Sequence, residues 1–192
     1  MRPPITVLTP CFAPSELHPA FFMDRDDTLI FDVPYLNDPD KVRLIPGAVE
    51  GLRTLRRCGW RLIVVSNQSG IGRGRFTEDE LLAVNQRVTA LLAQDGVCLD
   101  AIYCCPHTPD CGCTCRKPNC GLIELACTDF CTDRSRSAMA GDKAGDIAAG
   151  KAAGITAIQI CSLGQSADFG ADFRTADLAG AAEWLLRKHN AI

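Results

Sequence analysis

The sequence predicts an α/β fold in which a parallel sheet is covered by helices on both faces. Three observations carry that expectation. Short apolar runs alternate with longer amphipathic stretches along most of the 192 residues, the pattern of strand–helix–strand crossovers. Several runs are apolar throughout rather than at every second residue, as in strands buried on both faces. The runs end in polar segments, and right-handed crossovers gather those ends along one edge of a sheet, where open α/β folds bind ligands.

Taken in order, Ala20-Phe21-Phe22-Met23 is a buried strand ending at Asp24. Residues 47–58 are helical, because Val49, Leu52 and Leu55 fall on one face. Arg61 to Ser66 is a β-branched core strand. Thr77 with Glu80 three residues on forms a capping-box pattern, and the helix it starts runs to about Ala93. Ala101 to Cys104 is a third strand and residues 121–131 a further helix. Ser137 to Ala140 is a fourth strand, 144–153 a helix and 155–160 a fifth strand. A closing helix over 178–189 carries Leu178, Trp184, Leu185 and Leu186. Residues 162–177 are polar and contain glycine, so a loop is expected there. Residues 1–19 are interrupted by prolines and are expected to form an irregular arm, leaving 20–192 as a single domain.

Composition narrows the function. Twenty Lys and Arg against 23 Asp and Glu give a net charge of −3, which argues against nucleic-acid binding through bulk positive charge. No run of 18 apolar residues exists to span a membrane. The proline-broken N-terminus lacks the apolar core of a signal peptide, so a cytoplasmic protein is expected. Cysteine is the outlier: six of the twelve (Cys104, Cys105, Cys111, Cys113, Cys115, Cys120) crowd around His107. In a reducing compartment such crowding points to a metal rather than to disulfides. The scattered six, Cys11, Cys58, Cys98, Cys127, Cys131 and Cys161, read as small buried apolar residues.

The chemistry sits at the strand ends. Asp24 and Asp26, two apart in extended chain, face the same way, and paired carboxylates need a cation or a proton between them. An acidic turn would look the same. Ser66-Asn67-Gln68-Ser69-Gly70 offers hydroxyl, amide and glycine-loop N–H donors suited to a phosphate. Gly141-Asp142-Lys143-Ala144-Gly145-Asp146 adds carboxylates and a lysine, although Asp146 would also serve as a helix cap. Mg²⁺ favours this combination of carboxylates with substrate phosphate oxygens, and an aspartate nucleophile splits hydrolysis into two steps through an aspartyl phosphate. In the cysteine-rich segment two registers of three sulfurs and one imidazole compete, one with Cys111 and one with Cys115.

As an ordered set, Asp24-Arg25-Asp26-(Asp27)-Thr28, Ser66 to Gly70, Arg116-Lys117-Pro118 and Gly141-Asp142-Lys143 resemble the motifs of haloacid-dehalogenase-superfamily phosphatases. With Cys105-Pro-His107 and Cys113-Thr-Cys115 just before Arg116, the chain is similar to the D-glycero-D-manno-heptose 1,7-bisphosphate phosphatases from about residue 20 to 190. The resemblance implies a Rossmann-like three-layer sandwich with little or no cap domain and a zinc-binding loop at about 104–120. It implies a monomeric, Mg²⁺-dependent hydrolase of a phosphorylated sugar that binds neither nucleic acid nor membrane. Asp24 would be nucleophile and Mg²⁺ ligand. Asp26 would be general acid and then base, with its carbonyl on Mg²⁺. Asp142 would complete that site, with Asp146 supporting it. Ser66 and Lys117 would hold the transferring phosphoryl group. Asp32, Val33, Pro34, Tyr35, Asn67, Gln68, Ser69, Arg116 and Lys143 would contact substrate. The resemblance selects Cys105, His107, Cys113 and Cys115 as structural Zn²⁺ ligands, because the last ligand of the family directly precedes the Arg-Lys pair.

Two positions depart from the family pattern. Asp27 stands where the family has glycine, adding a charge beside the nucleophile and removing a permissive backbone position. Asn119-Cys120 follows Pro118 where a second proline before Gly121 is usual. Alternative readings are a histidinol-phosphate phosphatase, a polynucleotide 3′-phosphatase, and a catalytically inactive zinc-binding relative. Gln68 to Gly74 followed by Phe76-Thr77 looks more like the heptose branch, the −3 charge disfavours a polynucleotide groove, and Mg²⁺-dependent turnover would exclude the inactive relative.

Overall fold

The structure is a computed structural model and describes residues 2–9, 13, 15–161 and 167–190. At its centre lies strand β2 (Ala20–Met23), every residue of which is fully buried. Alternation along the strand sends Phe21 and Met23 into one core and Ala20 and Phe22 into the other. Parallel strands flank it, β3 (Arg61–Asn67) on one side and β5 (Ala138–Gly141) on the other. Beyond β3 lies β4 (Ala101–Cys105), and beyond β5 lie β6 (Thr156–Ile160) and β7 (Phe173–Thr175). With β1 (Ile5–Leu8) at the far edge, the seven-stranded order is β1-β4-β3-β2-β5-β6-β7.

Helices α1 (Ala48–Arg57), α3 (Glu78–Gln94) and α6 (Leu178–Asn190) cover the face that holds Phe21 and Met23, through Leu52 and Leu55, Leu81, Val84, Val88 and Leu92, and Leu178 and Leu185. Helices α4 (Gly121–Asp129) and α5 (Ala144–Ala152) cover the other face through Leu122, Ile123, Ala126 and Ala149. This is the expected three-layer sandwich. The Thr77–Glu80 capping box is formed at the start of α3 in both directions. A Cβ on Gly51 of α1 would lie 2.2 Å from the Leu178 carbonyl of α6, so only glycine permits that close packing.

The structure corrects several expectations. The N-terminal arm is not wholly irregular: Ile5–Leu8 pairs antiparallel with β4, so the sheet is not purely parallel. Its Ile-Thr-Val-Leu run has the β-branched character that suits an edge strand. Farther along the arm, the buried Arg61 donates from Nη2 to the carbonyls of Ala13 (2.6 Å) and Glu16 (2.9 Å), which ties those residues to the sheet. The loop expected over 162–177 contains β7, which pairs parallel with β6; residues 162–166 lie outside the described residues. The fourth strand runs 138–141 instead of 137–140, and helix α4 stops at Asp129, with Cys131 in left-handed backbone (φ 48°) just beyond. Of the scattered cysteines, Cys127 is buried as expected, whereas Cys58 and Cys131 are exposed and Cys98 is in a disulfide. Cys11 lies outside the described residues.

Candidate active site

The strand register assembles the site. Met23 lies beside Val64 of β3 and Ala140 of β5, so the residues that follow, Asp24, Ser66 and Asp142, emerge side by side at one sheet edge. Asn67 is in register with Cys105 of β4, which brings the cysteine-rich loop to the same edge. The Asp24 N–H donates to the Ala140 carbonyl (3.0 Å) and locks the first junction.

Three carboxylates converge there: Asp24, Asp142 and Asp146, all buried, have oxygens within 4.8 Å of one another. Lys117 reaches between two of them, with Nζ 2.8 Å from Asp24 and 2.6 Å from Asp146, and donates to the Val65 carbonyl as well (2.7 Å). Burial opposes its charge, but the two carboxylates outweigh burial and hold the ammonium above its usual pKa. Asp142 pairs with Lys143, whose half-exposed side chain brings Nζ to 3.4 Å, and accepts from Thr28 Oγ1 (3.4 Å). Burial, assisted by Asp24 and Asp146 and opposed by Lys143, pushes Asp142 up to about 6. Burial and Asp24 likewise raise Asp146, against the pull of Lys117. Lys117 and Lys143 together still leave the three carboxylates with excess negative charge, and a hard divalent cation fits that donor set. Asp146 has a second task, accepting the Lys143 N–H (2.9 Å) at the start of α5. Only glycine at 141 leaves room for it, since a Cβ there would lie 2.3 Å from the Asp146 carboxyl carbon.

Asp26 points away from that trio. Both of its oxygens lie within reach of the buried Arg25 guanidinium (3.0–3.2 Å), and Oδ2 also accepts from Gln68 Nε2 (2.8 Å), which donates to Ser66 Oγ too (2.8 Å). Asn67 spends its side-chain amide on the main chain of Lys117, donating to its carbonyl (3.0 Å) and accepting its N–H (3.1 Å). That clamp couples the end of β3 to the Arg116–Lys117 loop, and Asn67 also lines the cavity above it.

A cavity of about 330 Å³ opens over these groups, lined by Asp24, Asp26, Ser66, Asn67, Arg116, Lys117, Lys143, Gly145 and Asp146. A smaller one of about 150 Å³ adjoins it, lined by Asp26, Asp32, Val33, Tyr35, Asn67, Gln68, Ser69 and Lys143, by the motif residues Arg25, Gly70 and Phe76, and by Leu36, which no motif marks. Pro34 is exposed between Val33 and Tyr35 and is not among the residues that line this cavity. The chain turns there, with the Leu36 N–H on the Val33 carbonyl and Tyr35 in left-handed backbone (φ 54°), so Leu36 takes the inward place. Burial and the neighbouring Asp26 and Asp27 raise the Asp32 carboxyl. Asp27 occupies left-handed backbone (φ 58°), the conformation glycine would adopt freely, and its Oδ1 accepts the Asp32 N–H (3.1 Å).

In the cysteine-rich loop, Cys105, His107, Cys113 and Cys115 converge and Cys111 does not join them. Sulfur–sulfur separations are 3.3, 3.6 and 3.7 Å, and His107 Nδ1 lies 3.4 Å from Cys105 and 3.3 Å from Cys115. A tetrahedron with metal–sulfur bonds of about 2.3 Å has sulfur edges of about 3.8 Å, so the donors surround a zinc-sized space. Burial and the adjoining Cys105 and Cys113 sulfurs push the Cys115 thiol far up, the penalty a cation would remove. The Arg116 guanidinium donates to the His107 carbonyl (3.3 Å), so the loop also aims the cation that lines the larger cavity.

The family model for polynucleotide kinase 3 phosphatase matches residues 20–187. The D-glycero-beta-D-manno-heptose-1,7-bisphosphate 7-phosphatase of Yersinia pestis is 38% identical over 175 residues, which is 88% of this chain and 89% of that protein. Its counterpart in Pasteurella multocida is 42% identical over 142 residues, 71% of this chain and 77% of that one. Among solved structures, the D,D-heptose 1,7-bisphosphate phosphatase from B. bronchiseptica, complexed with magnesium and phosphate, superposes with a TM-score of 0.80 at 30% identity, covering 88% of this chain and 99% of that chain. A HAD-like phosphatase from Mesorhizobium loti gives 0.81 at 31% identity, covering 95% and 94%.

Proposed function

The chain belongs to the heptose-1,7-bisphosphate phosphatase family of the haloacid dehalogenase superfamily, and on that premise we propose that it hydrolyses the 7-phosphate of D-glycero-D-manno-heptose 1,7-bisphosphate through an aspartyl phosphate. The observation that carries the reading is the convergence of Asp24, Asp142, Asp146 and Lys117 under one cavity, with a smaller, hydroxyl-accepting cavity beside it. Asp24 attacks phosphorus as the bond to the sugar oxygen breaks, and Asp26 gives that oxygen its proton. Asp26 then takes a proton from water, which releases phosphate from Asp24. Ser66 and Lys117 hold the phosphoryl oxygens, and Arg116 and Lys143 face the rest of the substrate. Asp24 and Asp142 with the Asp26 carbonyl would hold Mg²⁺, which when bound would offset the phosphoryl charge.

Cys105, His107, Cys113 and Cys115 would hold a structural Zn²⁺ that leaves no open position for chemistry. Cys105, Cys113 and Cys115 are free thiols, available to a metal; we place the protein in the cytoplasm as a monomer, and no helix among the described residues is long and apolar enough to cross a membrane. The carboxylates of Asp26 and Asp32 in the smaller cavity suit sugar hydroxyls and would repel a polynucleotide backbone. The test is Mg²⁺-dependent phosphate release from heptose 1,7-bisphosphate, histidinol phosphate and a 3′-phosphorylated oligonucleotide. The heptose bisphosphate is expected to give the highest kcat/KM, and preference for either of the others overturns the substrate assignment.

Asp27 supplies a second expected result. Asp27→Gly removes both a negative charge from the segment that carries Asp24 and Asp26 and a left-handed non-glycine residue. A severalfold rise in kcat/KM is expected, about 1 kcal/mol. Asp27→Asn keeps an acceptor for the Asp32 N–H and removes only the charge. Loss of activity in Asp27→Gly but not in Asp27→Asn would assign Asp27 to holding the Asp32 loop instead.

A further inference from the structure

Asn85 is a polar residue in the middle of α3, 2% exposed, on a face otherwise made of Leu81, Val84, Val88 and Leu92. A buried amide among aliphatic side chains is costly unless its hydrogen bonds are made. Its Oδ1 accepts from Arg25 Nη1 at 3.0 Å, and its Nδ2 lies 3.7 Å from Cys104 Sγ. Arg25 is itself 1% exposed, and its other two nitrogens, Nε and Nη2, donate to Asp26. The guanidinium fork is therefore held from behind by the helix and holds the Asp26 carboxylate in front. Gln68 closes the arrangement from the loop after β3.

We propose that Asn85 is a positioning residue for phosphoryl transfer, acting from α3 through the buried Arg25 to fix the carboxyl group of Asp26 where it meets the leaving oxygen. The inference rests on the assignment of Asp26 as proton donor. Without an acceptor at 85, Arg25 Nη1 becomes a buried unsatisfied donor. The guanidinium then turns to find a partner and moves Asp26 with it. Displacements of about 1 Å in a reacting group cost up to about a hundredfold in rate.

The step in question is selective. As the Asp24 oxygen bonds to phosphorus and the phosphorus–oxygen bond to the leaving group breaks, a sugar alkoxide must receive the Asp26 proton. A p-nitrophenolate leaves without one. General damage to the site would slow both substrates alike, whereas a misplaced Asp26 slows the sugar ester selectively in kcat/KM, which reports on events through that first step.

The experiment compares Mg²⁺-loaded wild type, Asn85→Ala and Asn85→Asp on heptose 1,7-bisphosphate and p-nitrophenyl phosphate, with folding checked by circular dichroism and thermal melting. Asn85→Ala is expected to lose tenfold or more in kcat/KM on the sugar ester and less than about threefold on the aryl ester. Asn85→Asp keeps an acceptor for Arg25 and is expected to recover most of the sugar-ester activity. Equal losses on both esters, or no loss on either, overturn the proposal. If Asn85→Ala does not fold, Asn85→Leu, which fills the site without an acceptor, takes its place: a loss of tenfold or more confined to the sugar ester supports the proposal, and equal losses on both esters or no loss on either overturn it. Should wild type hydrolyse the aryl ester but not the heptose bisphosphate, the substrate assignment fails, and the comparison is made with whichever alkyl phosphate the wild type hydrolyses. Wild type inactive on every ester overturns the function and the role of Asn85 together.

Discussion

Asp24→Asn is expected to remove nearly all turnover and leave the fold standing. The asparagine keeps the shape of the side chain but cannot supply the carboxylate oxygen that bonds to phosphorus, and it withdraws one anionic donor from the cation site. Loss of a covalent nucleophile typically lowers kcat by about 10³-fold or more. The fold has reason to tolerate the change. Lys117 keeps its 2.6 Å contact with Asp146 and its hydrogen bond to the Val65 carbonyl. The crowding of three buried carboxylates, which raises Asp142 and Asp146, is relieved by one charge. The checks are steady-state turnover of purified protein and the thermal midpoint without Mg²⁺, which should be equal to or above that of wild type. Near-normal turnover by Asp24→Asn sinks the aspartyl-phosphate mechanism.

Cys115→Ser is expected to lose bound zinc, most of the activity and a substantial part of the stability. Cys115 lies within 3.3–3.6 Å of Cys105, Cys113 and His107, so its loss opens the donor set from four to three. Structural zinc contributes its binding energy directly to folding. Here it would stabilise a loop otherwise tied by Asn119 Nδ2 on the Cys113 carbonyl, Arg116 on the His107 carbonyl, the Gly121 N–H on the Thr114 carbonyl and the Asn67 clamp on the Lys117 main chain. Once the loop slackens, Arg116 and Lys117 lose their aim at the phosphate, and kcat/KM should fall by about ten- to a hundredfold. Metal analysis should find about one zinc per chain in wild type and in Cys111→Ser and Cys104→Ser, and little in Cys115→Ser. Cys104 lies on β4 and is buried against Asn85, on the face opposite Cys105 and the sulfur cluster. Zinc retained in Cys115→Ser but lost in Cys111→Ser would move the fourth ligand to Cys111.

The candidate site was legible in the sequence wherever its residues share a strand end. Asp24, Ser66 and Asp142 each close an apolar run, so parallel pairing alone places them together. Lys117 and the cysteine cluster sit on an irregular loop with no periodicity, and their assignment depended on family resemblance. Leu36 in the smaller cavity carried no sequence signal, because an apolar residue that lines a cavity has the same composition as one that fills a core. Asn85 was hidden for the converse reason: in sequence it is one polar residue in an amphipathic helix, and only the packing shows that it faces inward.

The sequence by itself determined the order of strands and helices, the three-layer class, and which strand ends carry carboxylates and donors. Those features follow from local hydrophobic periodicity and from chain connectivity, both of which can be read without neighbours in space. Tertiary structure alone decided the rest. It placed Ile5–Leu8 and Phe173–Thr175 on the sheet edges, where a pairing partner is needed before local propensity becomes a strand. It turned the Asn67 amide onto the Lys117 main chain, Asp26 onto Arg25, and Arg25 onto Asn85 sixty residues away. Hydrogen bonds between residues so far apart are set by which surfaces the folded chain buries together, because a buried polar group takes whichever partner the packing brings within reach.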